Sequence, residues 1–124
     1  MNEVTINIPI PAKELNPNSR VHWAVKARAV KKQRINVYWK LMGLATKNRI
    51  LGYWNAATVQ IEATYKDKRR RDKDNLLASL KSAFDGAEDA GLIKNDSGFT
   101  YLPIKINEPD KTNPHIKLTF TKES

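Results

Sequence analysis

The chain opens on an alternation of apolar and polar positions. Val4, Ile6, Ile8 and Ile10 recur at every second residue, the period of a strand with one buried face. Pro9 and Pro11 lack the N–H that a sheet ladder needs, so the strand ends there, at an edge or exit. Asn16-Pro17-Asn18-Ser19 supplies turn chemistry, and Asn18 or Ser19 could cap a helix. From Arg20 to Lys47 there is no proline, while Ala, Lys, Arg, Leu and Met are frequent, which predicts a long helix. Its apolar positions include Ala27, Val30, Ile35, Tyr38, Met42 and Ala45, with a break or kink expected near Gly43. Residues 48–55, with Gly52 among them, read as a connection.

Alternation returns at Ala57, Val59, Ile61, Ala63 and Tyr65, which predicts a second strand over Ala56–Lys66. Asp74 or Asn75 then stands as a cap before Leu76, Leu77, Leu80, Phe84 and Ala87, the spacing of an amphipathic helix ending near Gly91. Asn95-Asp96-Ser97-Gly98 reads as a turn. Phe99–Ile106 and Ile116–Phe120 read as two strands, joined as a hairpin by residues 107–114. The order β-α-β-α-β-β, without repeat or linker, predicts an α/β chain of the layered α+β kind. The expectation is a single small domain over residues 1–124, with a mixed sheet packed against helices.

Composition narrows the function. The 124 residues carry 22 Lys+Arg against 13 Asp+Glu, a formal charge of +9, and no cysteine. Absence of cysteine removes disulfides, thiol nucleophiles and thiolate zinc sites. Two histidines, His22 and His115, are too few for a His-rich metal site. No apolar run is long enough for a transmembrane helix. The acidic, proline-broken N-terminus does not resemble a signal peptide. A cytoplasmic protein without a membrane partner is the expectation. Its positive charge favours a polyanion, most simply nucleic acid. The charge is also segregated. No acid occurs between Glu14 and Glu62, whereas that stretch holds Arg20, Lys26, Arg28, Lys31, Lys32 and Arg34 among others. A second basic cluster, Lys66 to Lys73, includes Arg69-Arg70-Arg71 and leads into the acids Asp72 and Asp74.

In extended backbone, Asp72 and Asp74 would point to one side, where their mutual repulsion is relieved by a divalent cation with oxygen ligands. The structural alternative is a turn and a helix cap. On one continuous helix Lys81 lies about 20° from Asp74, two turns further on, and could reach a phosphate or orient a water. Its alternative is a surface ion pair with Asp85. Asp96 stands before the next strand and could converge on the same place, or be an ordinary turn residue. His22 and Trp23 open the basic helix. Trp23 is read first as core or dimer packing, with stacking or phosphate contact as the other reading. Trp39 and Trp54 are read as packing residues.

The segments Arg69-Arg70-Arg71-Asp72-Lys73-Asp74-Asn75-Leu76, Lys81-Ser82-Ala83-Phe84-Asp85 and Ala90-Gly91-Leu92-Ile93-Lys94-Asn95-Asp96-Ser97 together resemble the RusA-like Holliday junction resolvases of bacteria and their phages. The opening Ile8-Pro9-Ile10-Pro11 and the Asn-rich turn after it fit as well. The resemblance implies a Mg²⁺-dependent endodeoxyribonuclease, a hydrolase of recombination and repair. Such an enzyme works as a homodimer on four-way DNA junctions and needs no small-molecule cofactor. It implies a metal site of Asp72, Asp74 and Asp96 and a catalytic lysine at Lys81. Lys81 stands one helical turn, about 4.5 Å, further from Asn75 than the family's lysine does, with Leu77-Ala78-Ser79 as apparent extra residues. Arg69, Arg70, Arg71, Lys73, Arg20, Lys26 and Arg28 would hold DNA phosphates, contacts that position DNA without reading its sequence. The competing expectations are a non-catalytic basic nucleic-acid-binding protein and a less structure-selective Mg²⁺-dependent nuclease.

Overall fold

The computed structural model describes residues 2–48 and 53–123, with side chains for all of these but 45–48. The expected connection over residues 48–55 is centred on 49–52, outside the described residues, as is the side chain of Ala45. The elements are β1 (Glu3–Ile8), α1 (Trp23–Asn48), β2 (Ala57–Thr64), α2 (Lys73–Ser79), α3 (Lys81–Asp89), β3 (Phe99–Tyr101), β4 (Lys105–Ile106) and β5 (His115–Lys122). They form a small α+β fold with helices packed on a mixed five-stranded sheet of order β1-β5-β2-β3, with β4 also on β2. No helix among the described residues is long and apolar enough to cross a membrane.

The two halves of the sheet are built differently. β5 runs antiparallel to both β1 and β2, pairing Ile6 with Leu118 on one side and Ile61 with Leu118 on the other. β3 and β4 run parallel to β2. A parallel pair needs a crossover, and α2 with α3 supplies it. The expected hairpin between Phe99–Ile106 and Ile116–Phe120 is therefore not formed. β5 instead inserts between β1 and β2, where it finds two long partners. The 99–106 stretch is interrupted at Pro103 and splits into β3 and β4. Ala57 opposes Phe99 but Glu62 opposes Lys105, so the register slips by one residue across the interruption. The Gln60 amide donates to the Pro103 carbonyl at 2.8 Å and satisfies the bulged backbone.

Alternation along the strands produces a one-faced core. Val4, Ile6 and Ile8, then Val59, Ile61 and Ala63, then Ile116, Leu118 and Phe120 are buried beneath the helices. On α1 the core-facing positions are Val37 and Leu41, both fully buried, rather than Ala27 and Ile35, which are exposed. Contact with α3 selects that face. Gly86 meets the backbone of Arg34 so closely that a Cβ there would lie 2.3 Å from the Arg34 carbonyl oxygen. The Arg34 guanidinium clasps both oxygens of Asp89 beside the same crossing. Asp89 is thereby held below the usual carboxylate range.

The helix expected from Asp74 to Gly91 is two helices. At Leu80 the backbone leaves helical values, with φ −100° and ψ 2°. Ser79 Oγ donates back to the Asn75 carbonyl at 2.7 Å, a bond that bends helices. Leu80 has no side-chain oxygen to cap α3, and Gln33 of α1 does so instead. Its Oε1 accepts from the Ala83 N–H at 3.1 Å and from the Ser82 hydroxyl. Past α3, Gly91 takes φ +82°, and the N–H groups of Gly91 and Leu92 close on the carbonyls of Glu88 and Ala87. This turn lays residues 91–94 alongside Tyr53 and Trp54 and so places Asp96 near the start of β2.

Candidate functional site

The segment after β2 folds on itself before α2 begins. Asp67 accepts from the Arg69 N–H at 3.0 Å and pairs with Arg71 at 2.9 Å. These contacts, the Arg69 N–H foremost, hold the Asp67 carboxyl below its ordinary range. Arg71 also donates to the carbonyls of Asp67 and Arg69, and its guanidinium stacks 4.0 Å from the Tyr65 ring centre. Arg71 thus clamps the turn, while Arg69, Arg70 and Lys73 stand exposed.

Asp72 is the cap of α2. Its Oδ1 accepts from the N–H of Asp74 at 2.8 Å and of Asn75 at 3.2 Å, leaving Oδ2 for another partner. The backbone does not stay extended through this pair, because Asp74 already lies in the first helical turn. Capping falls to Asp72 rather than to Asp74 or Asn75. Arg70, Arg71, Asp72, Lys73 and Asp74 enclose an open pocket of about 650 Å³. A second groove of about 280 Å³ shares Arg71 and Asp72 with it and runs on past Tyr65 to Lys13 and Asn16.

Asp96 belongs to a different cluster. Its N–H donates to Glu88 Oε1 at 2.7 Å, and its carboxyl lies against that of Asp85. Burial, and then this neighbouring acid, push the Asp85 carboxyl above its usual range, while Lys81 and Arg34 pull the other way. Tyr101, packed 5.0 Å from the Phe84 ring centre, has its hydroxyl raised by burial and then by both acids. In the sequence Asp85 stands out only as an ion-pair partner for Lys81 and as the end of a matched segment, and Tyr101 carries no motif of its own. The topology explains the separation. Asp72 and Asp74 follow the Thr64 end of β2, whereas Asp96 precedes β3, which begins opposite Ala57. Among the described residues no three His, Cys, Asp or Glu side chains are arranged to share one metal ion. The structure therefore brings Asp72 together with Asp74, and Asp96 together with Asp85. Lys81, exposed at the first position of α3, is separated from Asp74 by the break at Leu80, so the continuous-helix argument for their shared face does not hold.

Arg20, which precedes the basic helix, and Arg28 on it are exposed, and Lys26 is half-buried. α1 is capped by His22, whose Nδ1 accepts from the Ala24 N–H at 3.1 Å, and not by Asn18 or Ser19, which form the preceding turn. Trp54 is buried as expected. Trp39 is 64% exposed and Trp23 is 76% exposed, so neither packs into the core of this chain.

No protein-family model matches the chain. An uncharacterized protein of Xylella fastidiosa (strain Temecula1 / ATCC 700964) is 32% identical over 125 residues, an alignment covering 94% of this chain and 75% of that protein.

Proposed function

Since the chain belongs to the family of the Xylella fastidiosa protein, whose name states no activity, we propose its function from its own residues: a RusA-like, Mg²⁺-dependent endodeoxyribonuclease acting on four-way DNA junctions. The observation that carries the reading is the pocket at the start of α2, where Asp72 and Asp74 sit between Arg70, Arg71 and Lys73. Anionic groups inside a cationic wall suit a phosphodiester that must be held while a cation is bound beside it. Mg²⁺ asks little of a protein, taking one or two carboxylates and completing its shell with water and substrate phosphate. Asp72 through Oδ2 and Asp74 would hold it. Bound there, the ion would lower the pKa of a water and stabilise charge building on the phosphate. Arg70 and Lys73 would anchor the flanking phosphates, and Arg71 would keep the turn in shape. Water oxygen would bond to phosphorus as the bond to the 3′ oxygen breaks, leaving a 5′-phosphate and a 3′-hydroxyl. A homodimer in the cytoplasm would present two such pockets to the opposing strands of a two-fold junction.

A second reading, nucleic-acid binding without cleavage, is favoured by the capping role of Asp72 and by the placement of Asp96 against Asp85. One experiment separates the two. A labelled synthetic junction, a linear duplex and a flap DNA are incubated with the protein, with and without Mg²⁺, beside Asp72→Asn. Asparagine caps a helix as well as aspartate does, so the fold should survive. The expected result is junction-selective cleavage that falls more than about 100-fold in the variant, beyond the loss typical of an outer-shell metal partner. Equal cutting by the variant, or none by the parent protein with any divalent metal, would reject the nuclease.

A further inference from the structure

A third groove, of about 460 Å³, lies between α1 and the segment leaving β1. Its floor is apolar, from Ile8, Ile10, Leu15 and Ala29, and Arg28 and Lys32 stand on its α1 rim. Ile10, Pro11 and Ala12 line both this groove and the one beside Asp72, so the two join across that bend. The first pocket, the middle groove and this third one therefore adjoin in a row from Asp74 to Lys32, a furrow whose sections share Arg71 and Asp72 at one junction and Ile10–Ala12 at the other. Beyond Lys32 the same stripe of α1 carries Trp39, about 20° around the axis from both Lys32 and Arg28 at 100° per residue. Trp39 is 64% exposed, and a Cβ at Gly43, one turn further, would meet nothing within 4 Å.

We propose that this furrow is a track for a single, unpaired nucleic-acid strand. In this model the strand leaves the Asp72 pocket, passes over Ile10–Ala12, and is held by Arg28 and Lys32 with a base stacked on Trp39. Charge complementarity commits the site to a polyanion, because α1 contains no acid along its whole length. Glu14 is the acid on the wall of the third groove. A recessed apolar floor suits the faces of unstacked bases, whereas duplex phosphates would be met by an outward-facing cationic surface. The inference rests on the nucleic-acid reading above, but needs neither metal nor cleavage.

The test is binding of a fluorescein-labelled oligothymidylate, followed by anisotropy in EDTA over a range of salt concentrations. The variants are Arg28→Gln/Lys32→Gln and Trp39→Ala, with Trp23→Ala as a comparison, all checked by thermal melting. Removing two phosphate contacts should reduce the slope of log affinity against log salt by about 1.4. Trp39→Ala should weaken binding about tenfold or more, the loss expected for one stacked base, and Trp23→Ala should change it less than twofold. Unchanged slope and affinity in folded variants would overturn the proposal. So would a change from oligomer to monomer in sedimentation with binding intact, which would make the Trp39 face a contact between copies. The two readings fail separately. Loss of slope in a protein that never cuts rejects only the nuclease, and junction cutting with unaltered strand binding rejects only the track.

Discussion

At the scale of single residues, the acids of this chain do several different jobs. Asp72 closes the first turn of α2, so Asp72→Ala should lower stability by about 1 kcal/mol in denaturant unfolding, while Asp72→Asn should be nearly neutral. Asp67 shows the linkage between charge and fold most directly. Its carboxyl is held low by the Arg69 N–H and by Arg71. A carboxyl with a depressed folded pKa stabilises the native state above its unfolded value, about 3.9, and that contribution is lost as pH falls through the lower folded value. Carboxyl NMR should therefore find Asp67 titrating below about 3.9, and Arg71→Gln should raise that midpoint. Asp85 has the opposite sign. Its raised value means that ionisation costs stability at neutral pH, because the carboxyl is partly buried and Asp96 stands against it. Asp85→Asn should stabilise the protein by a few tenths of a kcal/mol at pH 7, the scale of a surface like-charge pair, and by less at acid pH.

Among the elements, the contact of α1 with α3 governs how closely the helical layer can approach. Gly86 allows the backbones to touch, and any Cβ there collides with a carbonyl that cannot swing away. Gly86→Ala should cost about 1–3 kcal/mol in spite of its better helix propensity, read as a lower denaturation midpoint at unchanged slope. Gln33 is the second fastening. Without it the buried Ser82 hydroxyl loses its acceptor, and the Ala83 N–H is left with the Leu80 carbonyl alone, so Gln33→Leu should cost about 1–3 kcal/mol. The break at Leu80 matters to function as well as to packing. It uncouples α2, which carries Asp72 and Asp74, from α3, which carries Lys81 and Asp85.

For the whole molecule, the segregation of charge decides more than its total. α1 holds cations without acids, and the furrow leads from it to the α2 pocket, so bound nucleic acid would meet positive charge along a path. Junction binding should be steeply salt-dependent, with a slope that the Arg28/Lys32 substitutions reduce. On the opposite side the sheet presents Thr58, Gln60, Thr119 and Thr121, a polar face that alternates with the core positions.

The period-two runs at Val4–Ile8, Ala57–Ala63 and Ile116–Phe120 were legible in the order of amino acids because a side chain's face in a strand depends only on its parity. The long proline-free helix and the helical character of Leu76–Ala87 were legible for a similar local reason, but the break at Leu80 was not. Strand partners were not. Pairing depends on which edge is free when the chain returns, and β5 took the long edges of β1 and β2 in preference to the interrupted segment beside it. The fate of the acids was equally remote from local pattern. Asp72 and Asp74 are neighbours by covalent connection, but whether Asp96 joins them depends on the direction of the crossover. That path carries Asp96 to the opposite end of β2, beside Asp85. Trp39 looked like a packing residue by its chemistry, and its exposure follows from the rotation of α1 set by Gly86. Neighbouring residues can specify periodicity and capping, because those act over a turn or two of chain. Convergence of distant side chains is a property of how the layers dock, and no short stretch of sequence contains it.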